Sequence, residues 1–154
     1  MTTQDTDDPT RTRARAVRPP AWRAQVPVVA VVALGGALGA TARYAISLAL
    51  PAEPGAFPWA TFWANVTGCA VIGVFMVLIH DRWPGHRLLR PFFGTGVLGG
   101  FTTFSTYAVD IRTLVDDGHP RTALVYLAAT LAAALTAVWL ASTATRHVLR
   151  RRPS

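Results

Sequence analysis

The chain has 154 residues, 51% of them hydrophobic and 15% charged, with a formal net charge of +7 and a mean hydropathy of +0.32. Its charges crowd into the ends and short connectors, which leaves no room for a sizeable soluble domain and marks a membrane protein. The basic charge comes with no lysine at all, which makes nucleic-acid binding a weak reading, and the single cysteine, Cys69, excludes an intrachain disulfide.

Residues 1–25 form an Arg-rich, Pro-containing arm without apolar periodicity, read as a disordered cytoplasmic tail. A first apolar window predicts a membrane span over 27–50. Arginines ahead of an apolar run also suit a secretory signal, but the run continues beyond Arg43 to Leu50. Gly35 and Gly39 lie four apart on one helix face, as do Gly36 and Ala40, so another helix can approach closely. Arg43 within the span is a functional candidate or an outward-snorkelling side chain.

The second window predicts a span over 56–79, with Asn65 near its middle. A buried amide must find partners at membrane depth, either as an interhelical clamp or along an anion path. Without further context the clamp is favoured.

The third window, over 91–112, carries the run Gly99-Gly100-Phe101-Thr102-Thr103-Phe104-Ser105-Thr106-Tyr107. Two glycines and four hydroxyl residues are poor helix material, so the helix is expected to break near Gly99–Thr103. Backbone freed at that depth survives only where it is buried in protein, lines a cavity or holds an ion. Phe104 and Tyr107 follow three apart, and rings turned edge-on to a narrow path can stabilise a small dehydrated anion. Asp110 is the first acid after the apolar run. The fourth window predicts a span over 121–145, with the hydroxyls of Tyr126 and Thr130 on one face, followed by a basic tail over 148–154. Residues 26–147 thus read as one all-α integral membrane domain of four spans.

Twelve arginines fall before the first span, between the second and third, or after the fourth, while Arg112 and Arg121 fall on the opposite side. The positive-inside rule then puts both termini in the cytoplasm of a cell (plasma) membrane.

Three ordered motifs, GGxxGAxxRY at Gly35–Tyr44, TxxxNxxG at Thr61–Gly68 and GGxTTFST at Gly99–Thr106, make the chain resemble the small four-span bacterial fluoride channels of the Fluc (CrcB) family over about residues 27–147. The resemblance implies an antiparallel dimer with two fluoride paths and one structural sodium ion, held by backbone carbonyls at Gly99 and Thr102. It implies Asn65 as a fluoride-path donor, Phe104 and Tyr107 as the aromatic pair, and Tyr126, Thr130 and Ser105 as further path hydroxyls. Asp110 falls at the pore end and Arg43 near its mouth. Tyr107 and Thr130 stand where the family usually has Phe and often Ser. The expected activity is passive export of fluoride, without enzymatic chemistry. The strong arginine bias further suggests pairing with a related subunit of opposite bias, although a homodimer is open. Two rivals remain at this point. One is a small proton-coupled exporter, which lacks a titratable acid within any span here; the other is a non-transporting assembly protein, which leaves Asn65 and the break without a purpose.

Overall fold

The computed structural model describes residues 21–82 and 87–150, with side chains described for 25–80 and 87–150. Most of the Arg-rich arm and of the basic C-terminal tail lies outside the described residues. The described residues form five α-helical segments and one π-helical segment, and no strand occurs among them. Helix α1 spans Ala21–Ala49 and α2 spans Trp59–Arg82. The π-helical segment covers Pro91–Leu98, followed directly by the single turn α3, Gly99–Phe101. Helix α4 covers Phe104–Asp116, and α5 covers Pro120–Arg150.

Three of these are long and apolar enough to cross a bilayer: Gln25–Ala49, Trp59–His80 and Pro120–Arg150, of 25, 22 and 31 residues. The third apolar window is not a fourth long helix, because it is divided into segments of 8, 3 and 13 residues. Element ends also differ from the expected spans. Helix α1 carries Pro27 in its interior, α2 starts at Trp59 rather than 56, α4 continues to Asp116, and α5 continues to Arg150. Hydropathy marks only the apolar part of a helix, whereas the backbone ladder continues until a capping residue stops it. At the end of α4 that residue is Gly118, with φ +81. Its left-handed backbone lets Gly118 N–H donate to the Val115 carbonyl at 3.1 Å and His119 N–H donate to the Leu114 carbonyl at 2.7 Å, the paired bonds of a Schellman end.

Small residues set the helix packing. A Cβ on Gly35 would lie 2.5 Å from the Phe92 carbonyl oxygen and 2.9 Å from Val97 N, and one on Gly39 would lie 2.8 Å from Phe101 N. The Gly35/Gly39 face of α1 therefore seats the π-helical segment and α3 backbone to backbone. Helices α2 and α5 run side by side in the same direction: Phe62 packs against the cluster that holds Ala123 and Tyr126, and eleven residues on, Gly73 presses against Val138, where a Cβ would sit 2.7 Å from the carbonyl oxygen. At one end of the bundle Gly55 abuts the His119 ring; at the other, Arg90 and Arg146 line one groove. The large apolar side chains of α1 and α5, such as Leu38 and Leu131, are exposed, and the buried core is small. Such an exterior suits hydrocarbon as the solvent.

Candidate functional site

The third segment breaks at two residues. Thr102 (φ −82, ψ 156) and Thr103 (φ −149, ψ 126) are extended between helical neighbours. Gly99, with φ −66 and ψ −34, remains helical, so the break expected near Gly99–Thr103 is made by the threonines and not by the glycines. What Gly100 provides is clearance, since a Cβ there would lie 3.0 Å from Gly36 Cα and closer still to the Gly36 carbonyl oxygen.

Side chains recruited from two other helices and from the break itself satisfy part of the freed backbone. Asn65 on α2 donates from Nδ2 to the Thr103 carbonyl at 3.0 Å and accepts from Thr103 N–H on Oδ1 at 2.8 Å. The clamp reading of Asn65 is thus realised. Arg43 on α1 donates from Nε to the Gly100 carbonyl at 3.2 Å and is half-buried, so it caps the break instead of snorkelling away from it. Thr103 Oγ1 accepts from Thr106 N–H at 3.1 Å, which makes Thr103 the N-cap of α4.

These bonds have a consequence for two other carbonyls. In an unbroken helix Thr103 N–H would donate to Gly99 O and Thr106 N–H to Thr102 O. Both donors are diverted, one to Asn65 and the other to the Thr103 hydroxyl. Gly99 and Thr102 therefore present carbonyl oxygens released from the helical ladder, and such oxygens are hard donors suited to a hard cation.

Beside the break lies a groove of about 350 Å³ that brings together Asn65, Gly99, Thr102, Phe104, Tyr107 and Thr130. Thr130 is 4% exposed, and its Oγ1 is buried with no hydrogen-bond partner among the described residues. Phe104 and Tyr107 have ring centroids 5.9 Å apart, tilted by 52°. Tyr107 donates from its hydroxyl to the Leu127 carbonyl at 2.8 Å, fixing its ring against α5. Tyr126 stands behind Tyr107, with centroids 5.2 Å apart, fully buried, and donates to Asp110 Oδ2 at 3.2 Å. Tyr126 and Asp110 thus support the aromatic pair without lining the groove. Ser105 is exposed and does not line it either; its hydroxyl lies 3.3 Å from Thr103 Oγ1.

Some participants were not singled out as site residues from the sequence. Gly68 and Cys69 line the groove from α2, as do Leu131 and Ala134 from α5. The offsets Asn65, Cys69, Ile72 and Thr130, Ala134 carried that signal, because residues three and four apart share a face. A Cβ on Gly68 would meet the side chains of Thr102 and Phe101, so glycine at 68 admits the break against α2.

Comparison with known proteins shows the family. The profile of the family described as "CrcB-like protein, Camphor Resistance (CrcB)" matches residues 30–142. The chain is similar to "Fluoride-specific ion channel FluC 2" of Streptomyces avermitilis, 75% identical over 119 residues that cover 77% of this chain and 75% of that one. It is also similar to "Fluoride-specific ion channel FluC 1" of Streptomyces coelicolor, 64% identical over 154 residues and the whole of both chains. "Fluoride-specific ion channel FluC 2" of Nocardia farcinica is 56% identical over 119 residues, covering 77% of this chain and 85% of that protein. With its third segment opened at two threonines and clamped by Asn65, and with a family match reaching from residue 30 to residue 142, the chain belongs to the CrcB family.

Proposed function

We propose that this chain is a subunit of a fluoride-selective passive channel that exports fluoride from the cytoplasm and so lowers its toxicity. The observation that carries the reading is the groove uniting Asn65, Phe104, Tyr107 and the unpartnered Thr130 hydroxyl beside the break, in a chain whose relatives are named fluoride-specific ion channels. Asn65 Nδ2 has a second N–H beyond the one given to Thr103. Thr130 Oγ1 has its full donor capacity. Together with ring edges of the Phe104 and Tyr107 pair, these donors replace water around a small anion, while a larger halide meets a path too narrow for it.

The working unit is a dimer of two inverted subunits. Phe104 is 80% exposed beside the groove, so a second subunit can cover its ring and close the path on that side. The Gly99 and Thr102 carbonyls suit a structural sodium ion shared with the partner's break; when bound, it supplies the positive charge that holds the two breaks together. In this reading the broken third segment is the fourth span, so the chain crosses the plasma membrane four times with both termini cytoplasmic. The arginine bias favours a paralogous partner with opposite bias over a homodimer.

Fluoride efflux from liposomes, read with a fluoride electrode, tests the reading with the chain alone and with such a partner. Efflux in either arm supports it, and a folded protein that passes no fluoride in both refutes it. Mapping the termini in cells tests orientation; an even split between inside and outside contradicts the biased-subunit reading.

A further inference from the structure

A second and larger groove, of about 890 Å³, lies between the C-terminal halves of α2 and α5. Of the residues lining the groove beside the break it shares only Ile72. Its origin is the helix contact at Gly73, where a Cβ would sit 2.7 Å from the Val138 carbonyl oxygen and 3.1 Å from the Ala141 Cβ. The groove opens along the two helices from that contact toward their C-terminal ends.

Its walls carry a gradient of polarity. On α5 the stripe Val138, Ser142, Arg146, Arg150 runs from apolar through hydroxyl to guanidinium, and on α2 the stripe Ile72, Met76, His80 runs from apolar to imidazole. Arg90, just ahead of the π-helical segment, adds a third guanidinium at the same mouth. From Val138 to Arg150 the stripe rises about 18 Å at 1.5 Å per residue, roughly one leaflet of a hydrocarbon core about 30 Å thick.

We infer that this groove is a binding site for an anionic phospholipid, with its phosphate among Arg90, Arg146 and Arg150 and an acyl chain laid along Ile72, Met76 and Val138. Guanidinium groups take phosphate oxygens in bidentate pairs and are weakly hydrated, so the mouth matches a phosphate at the interface. The apolar depth below it has no use for a free aqueous anion but fits a chain. Basic pockets between spans on the cytoplasmic side are a recognised solution for anionic headgroups. A zwitterionic lipid matches less well, because its cationic headgroup faces three like charges. The site is independent of which ion the channel conducts.

Native mass spectrometry of the purified full chain, loaded with phosphatidylglycerol or phosphatidylcholine, tests it. The wild type retains phosphatidylglycerol in preference, and Arg90→Gln/Arg146→Gln/Arg150→Gln lowers that retention by about tenfold or more. Arg112→Gln/Arg121→Gln, at the opposite end, leaves it unchanged. Met76→Trp fills the apolar depth without altering charge and also lowers retention, which keeps the test decisive if the triple variant fails to fold. Equal retention of the two lipids, unchanged retention in the triple variant or in Met76→Trp, or displacement of the lipid by inorganic phosphate at equal concentration would each overturn the assignment.

Discussion

Asn65 and Thr103, 38 residues apart in sequence, exchange two hydrogen bonds of 3.0 and 2.8 Å, side-chain amide against backbone peptide. This pair gives both peptide groups of Thr103 a partner where two extended residues interrupt the segment at membrane depth. Asn65→Ala removes both partners at once. Each stranded group costs about 1–3 kcal/mol, so a clear fall in thermal stability in detergent is expected, together with loss of fluoride efflux. Asn65→Asp keeps the acceptor for Thr103 N–H but loses the donor to its carbonyl, so its melting temperature should fall between wild type and Asn65→Ala.

Thr130 separates function from stability. Its buried hydroxyl has no partner among the described residues, so Thr130→Val relieves an unsatisfied group and should leave the melting temperature unchanged or slightly raised. Fluoride efflux should fall about tenfold or more, since a hydrogen bond to a charged group is worth about 1.5–3 kcal/mol and 1.36 kcal/mol is tenfold in rate. Liposome flux and thermal melts on the same preparation check both directions.

The glycines of α1 should differ sharply. Gly39→Ala drives a Cβ into the Val97 carbonyl and to 2.8 Å from Phe101 N, whereas a Cβ on Gly36 meets nothing within 4 Å. Backbone cannot retreat as a side-chain tip can, so Gly39→Ala should cost about 1–3 kcal/mol by overpacking. Gly36→Ala should be tolerated within about 0.5 kcal/mol. Yield of folded protein on size-exclusion chromatography and its melting temperature distinguish the two.

Tyr107→Phe removes the 2.8 Å bond to the Leu127 carbonyl but keeps the ring beside Phe104 and Tyr126. The expected loss is about 0.5–1.5 kcal/mol of stability with fluoride efflux retained. Tyr107→Ala removes the ring and should abolish efflux. If the phenylalanine variant is as inactive as the alanine variant, the hydroxyl itself is required for conduction.

The sequence made the apolar windows legible because hydrocarbon is a demanding solvent and its length requirement is read directly from composition. It also exposed the break, but for a different reason from the one the structure gives. Gly99 and Gly100 looked like helix breakers, yet in a packed segment both stay helical, and Gly100 serves as contact surface pressed on Gly36. The threonines break the segment because Asn65 supplies Thr103 with the peptide partners that the next helical turn would have supplied. That bond spans 38 residues, and no local propensity encodes it. The gathering of Asn65, Phe104, Tyr107 and Thr130 in one groove was legible as a set of polar and aromatic positions on helical faces. The separation of Ser105 and Asp110 from that groove was not, because it depends on how far α4 rotates after its new N-cap. The π-helical start of the third segment, which packs against Gly35 and Gly39 of α1, was likewise invisible.

Relative flux of fluoride and chloride from one set of liposomes, loaded with both anions and containing the purified chain with its partner subunit, tests the central claim most directly. The account predicts rapid fluoride release with chloride retained, at rates independent of a proton gradient. Equal release of the two anions, or fluoride release that requires a proton gradient, would contradict it.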